Sequence, residues 1–362
     1  MSKSRKVQLE KKIMIFLSSG VFIFSGLYAS NVQAAPVFSS GIASDSTVAG
    51  VNNTASANSS SAFGYFNTAG GLASSAFGWS NTASAENASA FGYVNEASGL
   101  ASSALGFRNK AANENASAVG YGNNAGGVAS SAFGFSNVAK VDYASAFGYS
   151  NEASGLASSA VGFRNKAASE NASAVGYGNN ANALAASAVG YNNTAGGVGS
   201  STIGYNNTAT NENASAFGYG NTAGGLASSA FGFSNTASGD NANAFGYNNI
   251  ASGSKSNVFG TGNTVSGSSS NAVGTANEVA AENSTAIGNN NTISAGAENS
   301  AALGNNISIS LKDSVALGNN STATAINSVT GNSSYTKWAG VSDVVGVVSV
   351  GSSGATRQIQ NV

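Results

Sequence analysis

Glycine recurs every 14 residues from Gly50 to Gly288, through Gly64, Gly78, Gly92 and Gly106, without a break. Gly304 and Gly318 follow, after spacings of 16 and 14 residues. Three residues beyond each glycine of the unbroken series stands an asparagine, from Asn53 to Asn291. From Gly64 onward the residue before the glycine is Phe, Val, Leu or Ile, nearly always preceded by Ala. Self-similarity at a fixed short period means that one small unit is stacked on its own copies. Fourteen residues are too few for a helix pair or a propeller blade, and Gly with Asn at fixed offsets opposes a helix. The repeat therefore predicts an all-β parallel solenoid, or β-roll, in which each unit makes one coil of two short strands and two turns. Successive coils would lie about 4.8 Å apart.

Longer periods lie on top of the first. Eight residues after the glycine the chain reads Leu72, Glu86, Leu100, Glu114, Val128, Asp142, Leu156, Glu170, so alternate coils differ. Residues 95–124 and 151–180 differ only at Leu105/Val161 and Asn113/Ser169, a block of about two units repeated 56 residues, or four units, further on. Within a unit, alternation places Phe63 and Tyr65 on one face and Ala62 with Gly64 on the other. Asn67 is expected at the turn, where asparagine tolerates positive φ, and its counterparts should stack as ladders. A thin roll with alanine inside leaves the column Phe63, Phe77, Phe91, Leu105 pointing outward, more apolar surface than a monomer exposes, so self-association is expected to cover it. The alternative packs the aromatics inside the roll and turns alanine to water. Glu96 and Lys110, like Glu152 and Lys166, occupy equivalent positions on neighbouring coils and should pair one strand spacing apart on a solvated edge.

Composition removes whole classes of chemistry. The chain has no His and no Cys, which excludes Ser-His-Asp and Cys-His catalysis, HExxH zinc sites, thiolate metal centres and disulfides. No cofactor or metal site is expected, and no enzyme. Residues 1–12 carry Lys3, Arg5, Lys6, Lys11 and Lys12, an apolar run covers 13–27, and Val32, Gln33 and Ala34 precede Ala35. This reads as a signal peptide over 1–34 cleaved between Ala34 and Ala35, since the run is shorter than the roughly 20 residues of a membrane span. The chain remaining would hold 9 basic and 14 acidic residues, a balance that argues against nucleic acid as a partner.

The residues also resemble a known family. The segments Asn283-Ser284-Thr285-Ala286-Ile287-Gly288, Asn299-Ser300-Ala301-Ala302-Leu303-Gly304 and Asp313-Ser314-Val315-Ala316-Leu317-Gly318 are similar to the head motif N-S-V-A-I-G of YadA-like trimeric autotransporter adhesins. The ending from Val348 through Gly351, Gly354, Arg357, Gln358, Ile359 and Asn361 resembles that family's neck. The resemblance implies a left-handed roll, a homotrimer, a bacterial cell-surface location, and adhesion to host matrix or a cell-surface receptor, with Asn283, Ser284, Ala286, Ile287, Gly288, Asn299, Ser300, Leu303 and Gly304 as motif positions on a possible ligand surface. It also implies a lead-in over 35–49, head repeats over 50–331, and a connector with a truncated neck over 332–362. Stalk heptads and a C-terminal membrane anchor do not follow in this sequence, so a partial chain is expected, with membrane attachment only through that missing anchor.

Other functions fit less well. A spacer or matrix fibre projecting other modules is the main alternative to adhesion, and the near-identical block suits it. Ice binding needs an unbroken Thr array, whereas the position four after the glycine reads Thr54, Thr68, Thr82, Glu96, Lys110, Asn124. A polysaccharide-cleaving enzyme needs clustered carboxylates, whereas the acids here are scattered along turn positions. The Asn-Ala-Ser sequons from Asn87 onward and Gly-x-Gly runs such as 120–122 are consequences of the repeat.

Overall fold

The computed structural model of the chain describes residues 39–325 and 345–360. The proposed leader with Ala34 and Ala35, residues 326–344 of the connector, and Asn361 lie outside them. All the regular structure among the described residues is β.

Each coil follows the path the repeat predicts. A five-residue strand such as Ser61–Tyr65 is followed by a turn, a two-residue strand such as Thr68–Ala69, and a second turn. Coils stack in parallel with every residue over its counterpart, as in Ser61↔Ser75, Gly64↔Gly78 and Thr68↔Thr82. The long strands form one sheet of the roll and the short strands a second ladder of twenty members. Hydrogen bonds between coils thus run along the axis of the rod. The 16-residue unit keeps this register: Thr285 pairs with Ala301 and Thr292 with Ser308, so its two extra residues are absorbed in the turn around Gly296.

Four side chains of each coil point inward. In one coil they are Ala62, Asn67, Ala69 and Ser74, all fully buried. Alanine is inside and the aromatics are outside, which excludes the inverted arrangement. Two such sheets approach closely only if the residues between them are small, so the interior has room for little beyond a methyl or an amide. Toward the C-terminal end Val258, Val265, Val279, Ile293 and Ile309 replace alanine in this core.

Two expectations about individual residues are corrected. The left-handed turn residue is not Asn67 but its predecessor Phe66, with φ 57°, and a second, Ala73 with φ 54°, lies seven residues on. Asn67 instead turns its side chain into the roll. Gly64 does not share the inner face of Ala62: it has φ 115°, and a Cβ there would strike the Gly78 carbonyl oxygen of the next coil. That conformation belongs to glycine.

Both ends of the stack are closed. Ser39–Ser40 pairs antiparallel with Thr47–Val51 and blunts the first edge, which would otherwise be a template for another strand. At the other end Val348–Ser349 pairs parallel with Val315–Leu317 in the register of one more coil, which places Gly351 above Gly318. Arg357 then folds back, its Nη1 donating to the Val350 carbonyl (2.9 Å) and Ser321 Oγ (3.2 Å) and its Nη2 to the Asn319 carbonyl. Gly354 adopts φ 85°, while Gln358 and Ile359 remain exposed. The segment resembling a neck therefore begins as a coil of the roll.

Deletion of residues 95–150, which removes four whole coils, should leave the β circular dichroism per residue and a cooperative melt unchanged. Deletion of residues 133–139 should abolish the cooperative melt, because a half-coil shift sets Ser and Ala positions under Asn positions and the inter-coil bonds lose their partners.

Candidate functional surfaces

The repeat glycine and the asparagine three residues on are one device. Asn67 Nδ2 donates to the Phe63 carbonyl of its own coil (2.8 Å), to the Gly78 carbonyl of the next (2.7 Å) and to Asn53 Oδ1 of the preceding coil (2.9 Å). Its own Oδ1 accepts from the backbone N–H and the Nδ2 of Asn81 (3.0 and 2.9 Å). A side chain on Gly64 would crowd this same amide, at 3.0 Å from Nδ2. The ladder continues to Asn291, whose Oδ1 accepts from the Ile307 backbone N–H (3.0 Å). Where valine or isoleucine enlarges the core the device loosens: the bond from Nδ2 to the carbonyl four residues back is 2.9 Å at Asn137 but 3.4 Å at Asn263 and 3.5 Å at Asn277. The inter-coil bonds of these asparagines persist, Asn277 Nδ2 donating to the Gly288 carbonyl at 2.8 Å, and in the same region a serine ladder joins them, the Ser284 N–H donating to Ser270 Oγ (2.9 Å) and the Ser300 N–H to Ser284 Oγ (3.1 Å).

With the interior occupied by this bonding, chemistry toward other molecules is confined to the outside. The long-strand face carries two columns. The residue before the glycine is apolar in every coil from Ala49 to Leu317. The residue after it is aromatic from Tyr65 to Tyr247, and these rings stack coil on coil, typically 4.8 Å apart as between Tyr149 and Phe163. Beyond Tyr247 the second column changes to Thr261, Thr275, Asn289, Asn305 and Asn319, with Asn289 Nδ2 donating to Asn305 Oδ1 (2.8 Å), while the first stays apolar. The short-strand face is polar, led by Thr, Glu and Lys. There Lys110 meets Glu96 at 3.1 Å and Lys166 meets Glu152 at 3.9 Å, as their coil positions required. Half-exposed pairs of this kind contribute about 0–1 kcal/mol.

The turns form the two edges of the roll. One bears Leu72, Leu100 and Leu156 alternating with Glu86, Glu114, Asp142 and Glu170. The Val128 N–H donates to Asp142 Oδ1 of the next coil (2.8 Å), and the Leu226 N–H to Asp240 Oδ1 (3.0 Å). The two-coil period thus lets an acid of one coil cap a turn amide of its neighbour, a signal that the alternation contained but that spacing alone did not assign. Among the described residues no three acids converge as a metal site would require.

The head-motif positions divide by burial. Ser284, Ala286 and Ser300 are buried in the roll, and Gly288 and Gly304 serve the backbone at positive φ. Asn283 and Asn299 are exposed tips in left-handed conformation, and Ile287 and Leu303 remain 44% and 42% exposed in the apolar column. Any surface these motif residues offer is made by the last four.

Such a molecule is a repetitive rod with a bonded interior and all of its recognition chemistry outside. The YadA head domain repeat, a two-copy unit, matches nine segments, residues 42–67, 69–94, 97–123, 125–151, 153–179, 195–221, 223–249, 266–291 and 312–329. The chain belongs to the YadA-like trimeric autotransporter adhesins, and these coils are its head domain. No curated protein matches it.

Asn151→Ala should lower stability by about 3 kcal/mol, because it leaves the Asn165 N–H and the Phe147 and Gly162 carbonyls without their buried partner. Asn151→Asp should cost more, since a carboxylate cannot donate to those carbonyls. Ser150→Asn, at the adjacent left-handed tip, should leave the melting temperature unchanged. Denaturant unfolding of the three variants checks the ordering.

Proposed function

We propose that this chain is the head of a homotrimeric surface adhesin that attaches to host matrix or cells through many weak contacts repeated along a rod. The observation that carries the reading is the outward column before the repeat glycine, apolar in every coil even where the neighbouring aromatic column gives way to Thr and Asn. A requirement that persists over the whole length, on an otherwise uncharged face, fits packing against equivalent columns of two partner chains. The polar short-strand face and the edges would then point outward toward ligands. Secretion through the leader over 1–34 and display at the cell surface complete the reading, with lead-in, head and neck divided as the sequence indicates.

Light scattering of the secreted chain should give three times the chain mass. Phe133→Asp with Phe147→Asp should give monomers with unchanged β circular dichroism, because both side chains lie on the outer face. Persistence of the trimer in that variant would refute the packing.

Binding to immobilised matrix proteins should fall gradually as 56-residue blocks are removed, as avidity over repeated contacts requires. Loss of all binding with one block would locate a single site and overturn the distributed reading. Unchanged binding after several deletions would favour a spacer.

A further inference from the structure

The duplicated block puts two identical cationic tips on one edge of the rod. Arg108 and Arg164 occupy the left-handed turn position two after the repeat glycine, with φ 53° each. Most other coils place Ser, Asn or Gly at this tip, with Phe66, Val94 and Ala276 as the exceptions, and a side chain as bulky as arginine there costs about 1–2 kcal/mol. The fold draws little from them in return. Neither guanidinium has a hydrogen bond or ion pair among the described residues. Each lies against the ring of its preceding phenylalanine, Cζ being 5.3 Å from the Phe107 centroid and 5.1 Å from that of Phe163. Phe107 is itself stacked between Tyr93 and Tyr121 at 4.8 Å, and both arginine side chains remain exposed to solvent.

The surroundings leave the two charges uncompensated on that edge. Glu96 and Glu152, the nearest acids in repeat position, are engaged by Lys110 and Lys166. Glu114, Asp142 and Glu170 belong to the opposite turn of the coil. Between the arginines the intervening tips are Gly122, Ser136 and Ser150, which are small, uncharged and hydroxyl-bearing at two of three positions. Four coils separate the arginines, a span of about 19 Å along the axis.

We propose that Arg108 and Arg164 form a bivalent site for a linear anionic glycan, a chain of sulfated or uronic sugars lying along this edge. Guanidinium binds sulfate and carboxylate through paired N–H donors. The Ser136 and Ser150 hydroxyls and the partly exposed Tyr149 offer hydrogen bonds to sugar hydroxyls between the anchors. An acidic peptide suits the path less, because the long strands are paired on both sides along the rod and present no edge for strand addition. The proposal rests on the adhesin reading and names one ligand class within it.

Heparin immobilised on a sensor surface is the test, with the full secreted chain as analyte and dextran and polyglutamate surfaces beside it. The chain should bind heparin, release it as salt rises, and ignore dextran. Arg108→Asn or Arg164→Asn should each weaken binding several-fold, and the double variant at least tenfold, with a melt at least as high as that of the parent chain because asparagine suits this tip. Lys255→Gln with Lys312→Gln, elsewhere on the rod, should have no effect. Unchanged heparin binding in the arginine double variant overturns the proposal, as does equal arginine-dependent binding to polyglutamate. Absence of heparin binding by a chain that still adheres to matrix overturns this site and leaves the adhesin reading standing. Arginine-dependent heparin binding by a chain that fails to adhere to matrix supports the site and overturns only the broader reading.

Discussion

The buried asparagine amide is the interaction on which the rest of the structure depends. A coil whose inward side chains are mostly methyls has little apolar surface to bury, so it cannot be held by packing alone. The asparagine supplies what is missing: its Nδ2 bonds its own coil and both neighbours, and its Oδ1 receives two donors from the next. The repeat glycine goes with it, because a Cβ there would strike the carbonyl oxygen of the next coil to which the amide donates, 2.1 Å away at Gly64, and φ near 115° belongs to glycine. Gly and Asn three residues apart are therefore one constraint, and the 14-residue period follows from repeating it.

Once the interior is fixed in this way, each coil has the same five-residue strand facing outward, and evolution of the surface is decoupled from the fold. The apolar column before the glycine is invariant in character, the aromatic column after it changes to Thr and Asn beyond Tyr247, and the edges vary between Leu, Glu and Arg. Recognition is thereby distributed: no pocket is needed, and a residue introduced at one tip is multiplied whenever its block is copied, as Arg108 and Arg164 were.

Most of the fold was legible in the sequence because register is written into the period. The pairing of Lys110 with Glu96 and the placing of Ala62 and Phe63 on opposite faces followed from counting residues, whereas which of the two faces lies inside was decided by the fold. What was not legible was direction at single residues. The expectation that Asn67 takes the left-handed turn came from the general preference of asparagine for positive φ, but a buried amide with donors and acceptors above and below satisfies more groups than a solvated tip does. Phe66 took the turn in its place. Simple alternation likewise put Gly64 beside Ala62, and failed because positive φ interrupts the pleat there. For the surface, burial separated the motif residues that build the roll, Ser284, Ala286 and Ser300, from those that face solvent, a distinction that similarity to a motif does not contain.

The axial direction of the inter-coil bonds has a mechanical meaning. Tension applied to the ends of the chain loads the outermost coil alone, whose bonds open one after another as in a zipper, while the coils behind it stay intact. Each coil that peels away shortens the rod by about 4.8 Å and frees 14 residues, roughly 48 Å of extended chain. A head anchored at one end and pulled at the other would lengthen by about 43 Å for each coil lost, so the stack can give way under load one coil at a time.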